Sequence, residues 1–176
     1  MDYNALFNYN PTTGDLTWKP RPIDQFVSEH AWKIWNRRFP GKVAGYPRSI
    51  KGKPCGKWVY FGGKHSGAHQ IIMEMHFGPM PAGTRPDHID GDSWNNRLDN
   101  LRAATSSQNS FNRITSRNNT SGMKGVNWHR KQKKWNARIA VRGVGIHLGS
   151  FDTKGMAAVA RAKAAIRYHG AFARLF

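Results

Sequence analysis

The feature that most constrains the fold is a run of Asp, His and Asn side chains at residues 87–109. Asp87 and His88 are adjacent, so on an extended strand their side chains point to opposite faces. Residues 90–92 read Asp-Gly-Asp, which predicts a tight loop directly after that strand. The run therefore predicts a strand that ends at a loop rich in polar side chains.

A helix is expected to follow this loop. Thr105 and Gln108 have the spacing of a capping box, which predicts a helix beginning near Ser106. Asn109 would then lie on the first turn of this helix. A helix residue and Asp87 at the end of the strand could thus converge on one cation.

The residue types at these positions suit a hard divalent metal. Carboxylate and amide oxygens, completed by water and phosphate, are what Mg²⁺ prefers. Histidine titrates near neutral pH and can take a proton from water. A metal with few protein ligands leaves positions open for a phosphate oxygen and a leaving group.

Each element read alone also has an ordinary structural explanation. Asp-Gly-Asp is more often a turn than a binding site, and Asn95 and Asn96 could simply cap and turn the chain. The joint order and spacing of the residues favour a site. We expect His65, His69 and His76 to be structural, while a supporting role beside the site stays open for His69.

The segments DHIDGD, NNRLDNLR and TSSQN together resemble the HNH nuclease motif, a strand–loop–helix metal site of the ββα type. The earlier segment YNPTTGDLTW and the expected helix from His69 resemble the N-terminal part of phage and intron-encoded HNH endonucleases. The resemblance implies that His88 is the general base and that Asn100 braces the loop. It also implies that Asp87 and Asn109 bind Mg²⁺, with Mn²⁺ as a substitute. Asn stands at position 109 where some members have His, so zinc is not expected.

The charge of the chain indicates its partner. The formal net charge is +18, and it divides into +7 for residues 1–68, −2 for residues 69–110 and +13 for residues 111–176. Basic segments on both sides of an acidic centre favour a polyanion as partner, and double-stranded DNA is the expected one. No small-molecule cofactor is expected, and the chain is expected to act as a monomer or homodimer.

Other compositional features exclude several classes of protein. The single cysteine, Cys55, excludes a disulfide framework and a Cys-rich zinc finger. No apolar run approaches the roughly 20 residues of a membrane helix, so no membrane partner is expected. The first residues lack the pattern of a signal peptide. We therefore expect a cytoplasmic protein of a phage-infected or bacterial host cell.

The segment before the polar run is expected to form β-hairpins. Residues 9–14 predict a turn followed by a strand through Leu16 and Trp18. Residues 26–39 have a mixed pattern compatible with one helical turn or two. Glycines and prolines separate short apolar runs between residues 41 and 65, which is typical of hairpins, and residues 69–77 favour a helix.

The last part of the chain predicts a second module. Strands are expected at residues 125–130, 135–141 and 145–151, followed by an Ala-rich helix at about 153–168. The expected core of this module is Val126, Trp128, Ile139, Leu148, Phe151, Val159 and Ile166.

The module resembles the plant ethylene-response-factor (Apetala-type) DNA-binding domain in the segments KGVNWHRK, KWNARIAV, IHLGSFDT and HGAFARLF. In that family an uncovered sheet face reads the major groove. The DNA contacts expected from this module and the preceding linker are Arg113, Arg117, Lys124, Asn127, His129, Lys131, Lys133, Lys134, Arg138, Arg142 and His147.

Together these observations predict an α+β protein. We expect a basic hairpin region at residues 1–68, a ββα nuclease core at 69–110, a linker at 111–120 and an Apetala-type domain at 121–176. The expected function is metal-dependent, site-directed DNA cleavage of the phage or homing type, giving 5′-phosphate and 3′-hydroxyl ends. The alternative is a sequence-specific DNA-binding regulator with an inert nuclease fold.

Overall fold

The computed structural model describes residues 2–50, 52–115 and 118–175, which form short helices and small sheets. The chain divides into two compact units, Met1–Ala103 and Ala104–Phe176. This architecture confirms the predicted α+β class. The helices and strands are β1 (Phe7–Asn10), β2 (Asp15–Trp18), α1 (Glu29–Arg38), β3 (Tyr46–Ile50), β4 (Lys53–Phe61), β5 (Lys64–Gly67), α2 (Ala68–Phe77), β6 (Thr84–His88), β7 (Leu101–Thr105), α3 (Ser106–Asn112), β8 (Val126–His129), β9 (Lys134–Val141), β10 (Val144–Phe151) and α4 (Lys154–His169).

The first unit contains two antiparallel hairpin systems and two helices. β1 pairs with β2, and β4 pairs with both β3 and β5. The turn between β1 and β2 requires Gly14, which has φ +74°, because a Cβ there would lie 2.7 Å from the backbone nitrogen of Arg97. The first hairpin therefore packs directly against the polar loop that follows β6.

One core spans nearly the whole of the first unit. Its buried members come from both sides of residue 68, and they are Leu6, Phe7, Leu16, Ala44, Val59, Ala68, Ile71, Ile72, Met73 and Leu101. The predicted boundary between residues 68 and 69 therefore falls inside this core. The hairpins are part of the body that carries the polar run, and the division of the chain lies instead after Ala103.

Helix α1 has one aromatic face and one basic face. Ser28 caps its first turn, and Trp35 packs edge-on against Trp18 with ring centroids 5.5 Å apart. Lys33 pairs with Glu29 at 2.7 Å on the exposed side, and Arg37 lies in the last turn. Packing of the aromatic face explains why a sequence with mixed periodicity forms a complete helix.

The polar run folds into the predicted strand, loop and helix, with a second strand, β7, between the loop and the helix. β6 and β7 form a two-stranded sheet, with residues 89–100 between them and a short 3₁₀ helix at Leu98–Asn100. α3 begins at Ser106 with the predicted capping box between Thr105 and Gln108. The division between the two units falls within β7, so β6 belongs to the first unit and α3 to the second.

The second unit is a three-stranded antiparallel sheet, in the order β10-β9-β8, with α4 packed on it. Arg142 and Gly143 have φ of 49° and 80° and form the two-residue turn between β9 and β10. Of the two residues that could cap α4 by sequence, Asp152 and Thr153, it is Thr153 that does so. The strands and the helix lie within a residue or two of their predicted bounds.

The predicted core of this unit is wrong at three positions. Trp128 is 43%, Val159 55% and Ile166 61% exposed. For Val159 and Ile166 the reason is that α4 turns its small side chains towards the sheet, so that its larger apolar ones face outwards. Trp128 lies on β8, and its ring is 5.3 Å from that of Trp135 on the neighbouring strand. The residues that are buried in this core are Val126, Ala137, Ile139, Ala157, Ala164 and Ala165.

None of the helices in the described residues has the length and apolar character that crossing a membrane requires.

Candidate active site

The loop that follows β6 is held closed by Asn100. The Asn100 side chain is 8% exposed and accepts a hydrogen bond from the Asp90 backbone N–H at 3.0 Å. Its amide donates to Asp90 Oδ1 at 3.0 Å and to the Asn95 carbonyl at 2.8 Å. The Ile89 N–H also donates to the Asn100 carbonyl at 2.8 Å. Asn100 therefore connects the beginning and the end of the loop.

Asp90 organises the interior of the same loop. Its carboxylate accepts from the Asp92 N–H at 2.7 Å and from the Asn95 amide at 2.8 Å. Partial burial alone would raise the pKa of Asp90, but these donors, the Asn100 amide and nearby His88 leave that pKa below its ordinary value. The carboxylate thus stays ionised to lower pH, with its oxygens occupied by loop donors.

His88, at the end of β6, is oriented by a buried amide. Its Nε2 lies 3.0 Å from Oδ1 of Asn96, which is 1% exposed. A carbonyl oxygen can only accept, so Nε2 carries the proton and Nδ1 is left as the basic nitrogen of the neutral ring. From the sequence alone, Asn96 could equally be a capping or turning residue.

Asn96 is itself fixed by the first hairpin. The Tyr9 hydroxyl donates to the Asn96 carbonyl at 3.4 Å and accepts from the Leu98 N–H at 2.8 Å. Tyr9 lies in β1, almost ninety residues earlier in the chain. The hairpin therefore supports the segment that orients His88.

A second histidine lies beside His88. His69 is near the beginning of α2, and its ring is 5.2 Å from that of His88 at an interplanar angle of 71°. Burial, and then the proximity of His88, lower the pKa of His69 to about 4. His69 is therefore neutral near pH 7 and adds no positive charge beside His88.

The position of the His69 ring requires a glycine before the helix. A Cβ at Gly67 would lie 2.6 Å from Cε1 of His69, closer than two carbon atoms can approach. Gly67 precedes the first residue of α2. This close approach is the local reason that the ring can turn back towards His88.

Asp87 is buried next to His88 and is paired with an arginine. Its carboxylate is 5% exposed, and Oδ2 accepts from Nε of Arg102 at 2.9 Å. Arg102 lies on β7, the strand that pairs with β6. The pair keeps a carboxylate at the position where an oxygen ligand is expected.

The second expected ligand, Asn109, is an exposed residue of α3. The described residues hold no cluster of three or more His, Cys, Asp and Glu side chains placed to hold a metal ion. Asp87 supplies a carboxylate and Asn109 an amide, and both are oxygen donors of the type that a divalent cation such as Mg²⁺ prefers.

Five of the expected DNA-contact residues are strand residues of the second unit's sheet, at positions that alternate with its buried ones: Asn127, His129, Lys134, Arg138 and His147. Across the sheet Asn127 is opposite Asn136, and Arg138 is opposite His147. Arg142 is at the tip of the β9–β10 turn, and Arg117 falls outside the described residues. The others that the structure shows as exposed are Arg113, Lys131 and Lys133.

Lys124 has a different environment from the rest of this set. Its amino group donates to the carbonyls of Ser110, Phe111 and Arg113 at 3.2, 2.8 and 2.8 Å, at the C-terminal end of α3. Burial, followed by nearby arginines, lowers the pKa of Lys124 to about 8. All three donors are used within the protein, and Lys124 is therefore left out of the DNA-binding surface proposed below.

Three residues around His88 and Asp87 were not identified as site residues from the sequence: Asn96, His69 and Arg102. Asn96 is placed beside His88 by the loop, and Arg102 is placed beside Asp87 by the pairing of β7 with β6. The spacing of residues along the sequence indicates neither contact. His69 could be noticed in the sequence as a candidate for a supporting role, but its position beside His88 depends on the close approach of its ring to Gly67.

Comparison with known proteins agrees with the geometry of this site. A family model described as HNH endonuclease matches residues 66–111, which contain α2, β6, β7 and most of α3. The chain is 37% identical to protein 3.8 of Escherichia phage T7 over 107 residues, which are 60% of this chain and 87% of that protein. It is 32% identical to an uncharacterized HNH endonuclease of Acanthamoeba polyphaga mimivirus over 135 residues, which are 76% of this chain and 64% of that protein. No solved structure matches the chain at a significant level.

Proposed function

We propose that this chain, which belongs to the family of protein 3.8 of Escherichia phage T7 and contains an HNH endonuclease domain at residues 66–111, cleaves duplex DNA. The observation that carries this proposal is the 3.0 Å contact between His88 Nε2 and buried Asn96 Oδ1. It presents an imidazole of fixed tautomer at the end of β6, the strand that also carries Asp87. The reaction is hydrolysis of a phosphodiester.

His88 is proposed to act as the general base. Because Nε2–H is directed at Asn96, Nδ1 accepts the proton of a water molecule as the oxygen of that water attacks phosphorus. The new bond joins phosphorus to the water oxygen, and the bond to the 3′ oxygen breaks. The products are a 5′-phosphate and a 3′-hydroxyl.

Asp87 and Asn109 are the residues proposed to hold one Mg²⁺, or Mn²⁺ in its place. A divalent cation bound there supplies charge stabilisation for the phosphate oxygens and for the departing 3′ oxygen. Arg102 fixes the Asp87 carboxylate from the β7 side at 2.9 Å. His69, neutral above pH 4, supports the His88 ring without repelling a bound cation.

The second unit is proposed to bind the DNA, as its sequence resemblance to the ethylene-response-factor type implies. Its uncovered sheet face carries Arg138 and His147 side by side, with Arg142 at the tip of a turn. Residues 111–176 have a net charge of +13, which favours phosphate contacts on both sides of such a face. Recognition of a specific site, as in homing-type enzymes, is proposed to come from this face.

Plasmid nicking tests the proposal. Wild-type protein with Mg²⁺ is expected to convert supercoiled plasmid to open-circular or linear DNA, and His88→Ala is expected to lose this activity while keeping DNA affinity. A wild type that binds DNA but cuts no plasmid with Mg²⁺ or Mn²⁺ would instead support the alternative, a DNA-binding regulator with an inert nuclease fold.

A further inference from the structure

A separate cavity of about 340 Å³ lies within the second unit, at residues contributed by α3, β9 and α4. Lys124, Arg161 and His169 are among its lining residues, together with Phe111. The His169 ring stacks on Phe111 with centroids 3.7 Å apart and an interplanar angle of 3°. The lining of the cavity therefore contains a stacked pair of rings and three basic side chains.

Two of these side chains are buried with unpaired nitrogen atoms. Arg161 is 4% exposed, and its Nε and Nη1 have no hydrogen-bond partner among the described residues. His169 is 8% exposed, and its Nδ1 likewise has none, while Nε2 lies 2.9 Å from the Ala140 carbonyl. Five buried polar side-chain atoms in the described part of the chain lack partners, and these two residues hold three of them.

The unit offers no carboxylate to neutralise this cavity. Asp152 is the one Asp or Glu in the sequence from residue 104 to residue 176, and it pairs with Lys134 at 3.1 Å. Arg113 and Arg174 add positive charge near Lys124. A buried guanidinium without a counter-ion is strongly unfavourable, so an anion is the expected partner.

The backbone leaves space for the guanidinium. A Cβ at Gly125, which has φ +71°, would lie 2.9 Å from Nε of Arg161 and 2.3 Å from the Arg138 carbonyl oxygen. Glycine is therefore required where the chain passes Arg161. The fold of the second unit therefore accommodates the buried side chain of Arg161 through this glycine.

We propose that this cavity binds a phosphate group, with the buried guanidinium of Arg161 as its donor and the His169 ring as part of the lining. A planar guanidinium suits phosphate because two of its N–H groups can donate to two oxygens at once. The phosphate group comes from the DNA backbone or from free phosphate. Only the first source rests on the proposed function, because binding of free phosphate requires no nuclease activity.

The test begins with thermal unfolding of the full chain in sodium phosphate and in sodium chloride of equal ionic strength. Wild type is expected to unfold at a temperature higher by about 3 °C or more in phosphate. Arg161→Met is expected to abolish this difference. Arg167→Met, which removes an exposed arginine of the same helix, is the matched control and is expected to keep it.

A second arm measures the anisotropy of a labelled short duplex in EDTA, where no cleavage occurs. Weaker binding by Arg161→Met, with a salt dependence flatter by about one unit of slope, identifies a backbone phosphate as the ligand. Unchanged DNA binding with loss of the phosphate effect identifies free phosphate. Equal unfolding temperatures of wild type in phosphate and chloride would overturn the proposal.

A third measurement covers the case in which Arg161→Met does not fold. Broadening of the ³¹P resonance of inorganic phosphate by wild type, reduced in His169→Gln, supports the cavity as the site. Equal broadening by both proteins, or none by either, contradicts it. Because no arm uses metal or DNA cleavage, failure here is distinguishable from failure of the proposed nuclease function.

Discussion

Replacement of Asn96 by Ala should slow DNA cleavage far more than it changes DNA binding. Asn96 is 1% exposed, and its Oδ1 is 3.0 Å from Nε2 of His88. When His88 takes a proton, this contact becomes a hydrogen bond to a cation, worth about 1.5–3 kcal/mol. At about 1.4 kcal/mol for each tenfold change, the single-turnover rate should fall roughly 10- to 150-fold.

The assay is single-turnover cleavage of a labelled duplex with enzyme in excess, accompanied by anisotropy in EDTA to measure binding. Asn95→Ala is the matched control, because the Asn95 side chain donates to Asp90 rather than to His88. It is expected to lower stability slightly and to leave the chemical step within a few-fold of wild type. Asn96→Asp keeps an acceptor oxygen for the Nε2–H group of His88 and should cut faster than Asn96→Ala.

Two results would refute this reasoning. One is a folded Asn96→Ala protein that cuts at the wild-type rate. The other is a folded Asn96→Asp protein that cuts no faster than Asn96→Ala, since an acceptor oxygen at position 96 would then not be what orients His88. Circular dichroism of each variant establishes that the loop change has not unfolded the protein.

The remaining predictions concern the support of the site. Gly67→Ala should lower the melting temperature, measured by calorimetry, and the cutting rate, because its Cβ would lie 2.6 Å from Cε1 of His69. The control is Gly155→Ala in α4, whose Cβ would meet no atom within 4 Å, and it should leave the melting temperature unchanged or raise it slightly. The pKa of Asp90 is depressed, so its contribution to stability is present above the ordinary carboxyl pKa and is lost as pH falls through the lowered folded value. Asp90→Asn should therefore lower the free energy of unfolding at pH 7 and flatten its decline in acid, whereas an unchanged acid slope would contradict the assignment. Arg102→Met should lower the free energy of unfolding by about 3 kcal/mol, because it removes the guanidinium that pairs with buried Asp87. In a double-mutant cycle with Asp87→Asn, losses of unfolding free energy that simply add would show that the two side chains are not coupled.

Much of the local structure could be predicted from the sequence, because turn signals are strong. Asn10–Gly14 predicts the first hairpin, and Thr105 with Gln108 places the start of α3 at the observed residue. The strands of the second unit follow from turns at residues 131–133 and 142–143. These features depend on the conformations of a few residues, which the sequence carries directly.

The core of the second unit and the division of the chain could not be predicted in this way. Val159 and Ile166 are apolar enough to suggest burial, but α4 approaches the sheet through Ala157, Ala164 and Ala165 because small side chains allow a close contact. The first hairpins looked separate because of their positive charge. Their apolar side chains instead share one core with α2. This packing joins residues that are far apart in the chain, so no local sequence pattern indicates it.

The candidate site divides in the same way. The polar run predicts its own strand, loop and helix, and the structure shows Asn100 connecting the two ends of the loop. The residue that orients His88 could not be chosen from Asn95 and Asn96 by spacing, because they are adjacent and chemically identical. Tyr9 holds the backbone of Asn96 through a long-range contact, and the Asn96 side chain then reaches the histidine.

The central claim is that water, activated at His88, attacks phosphorus and expels the 3′ oxygen. Cleavage of a defined duplex in ¹⁸O-labelled water with Mg²⁺, followed by mass spectrometry of both ends, tests it most directly. The account predicts one ¹⁸O atom in the 5′-phosphate, unlabelled 3′-hydroxyl ends and no product from His88→Ala. A 3′-phosphate, an unlabelled 5′-phosphate or unimpaired cutting by His88→Ala would contradict it.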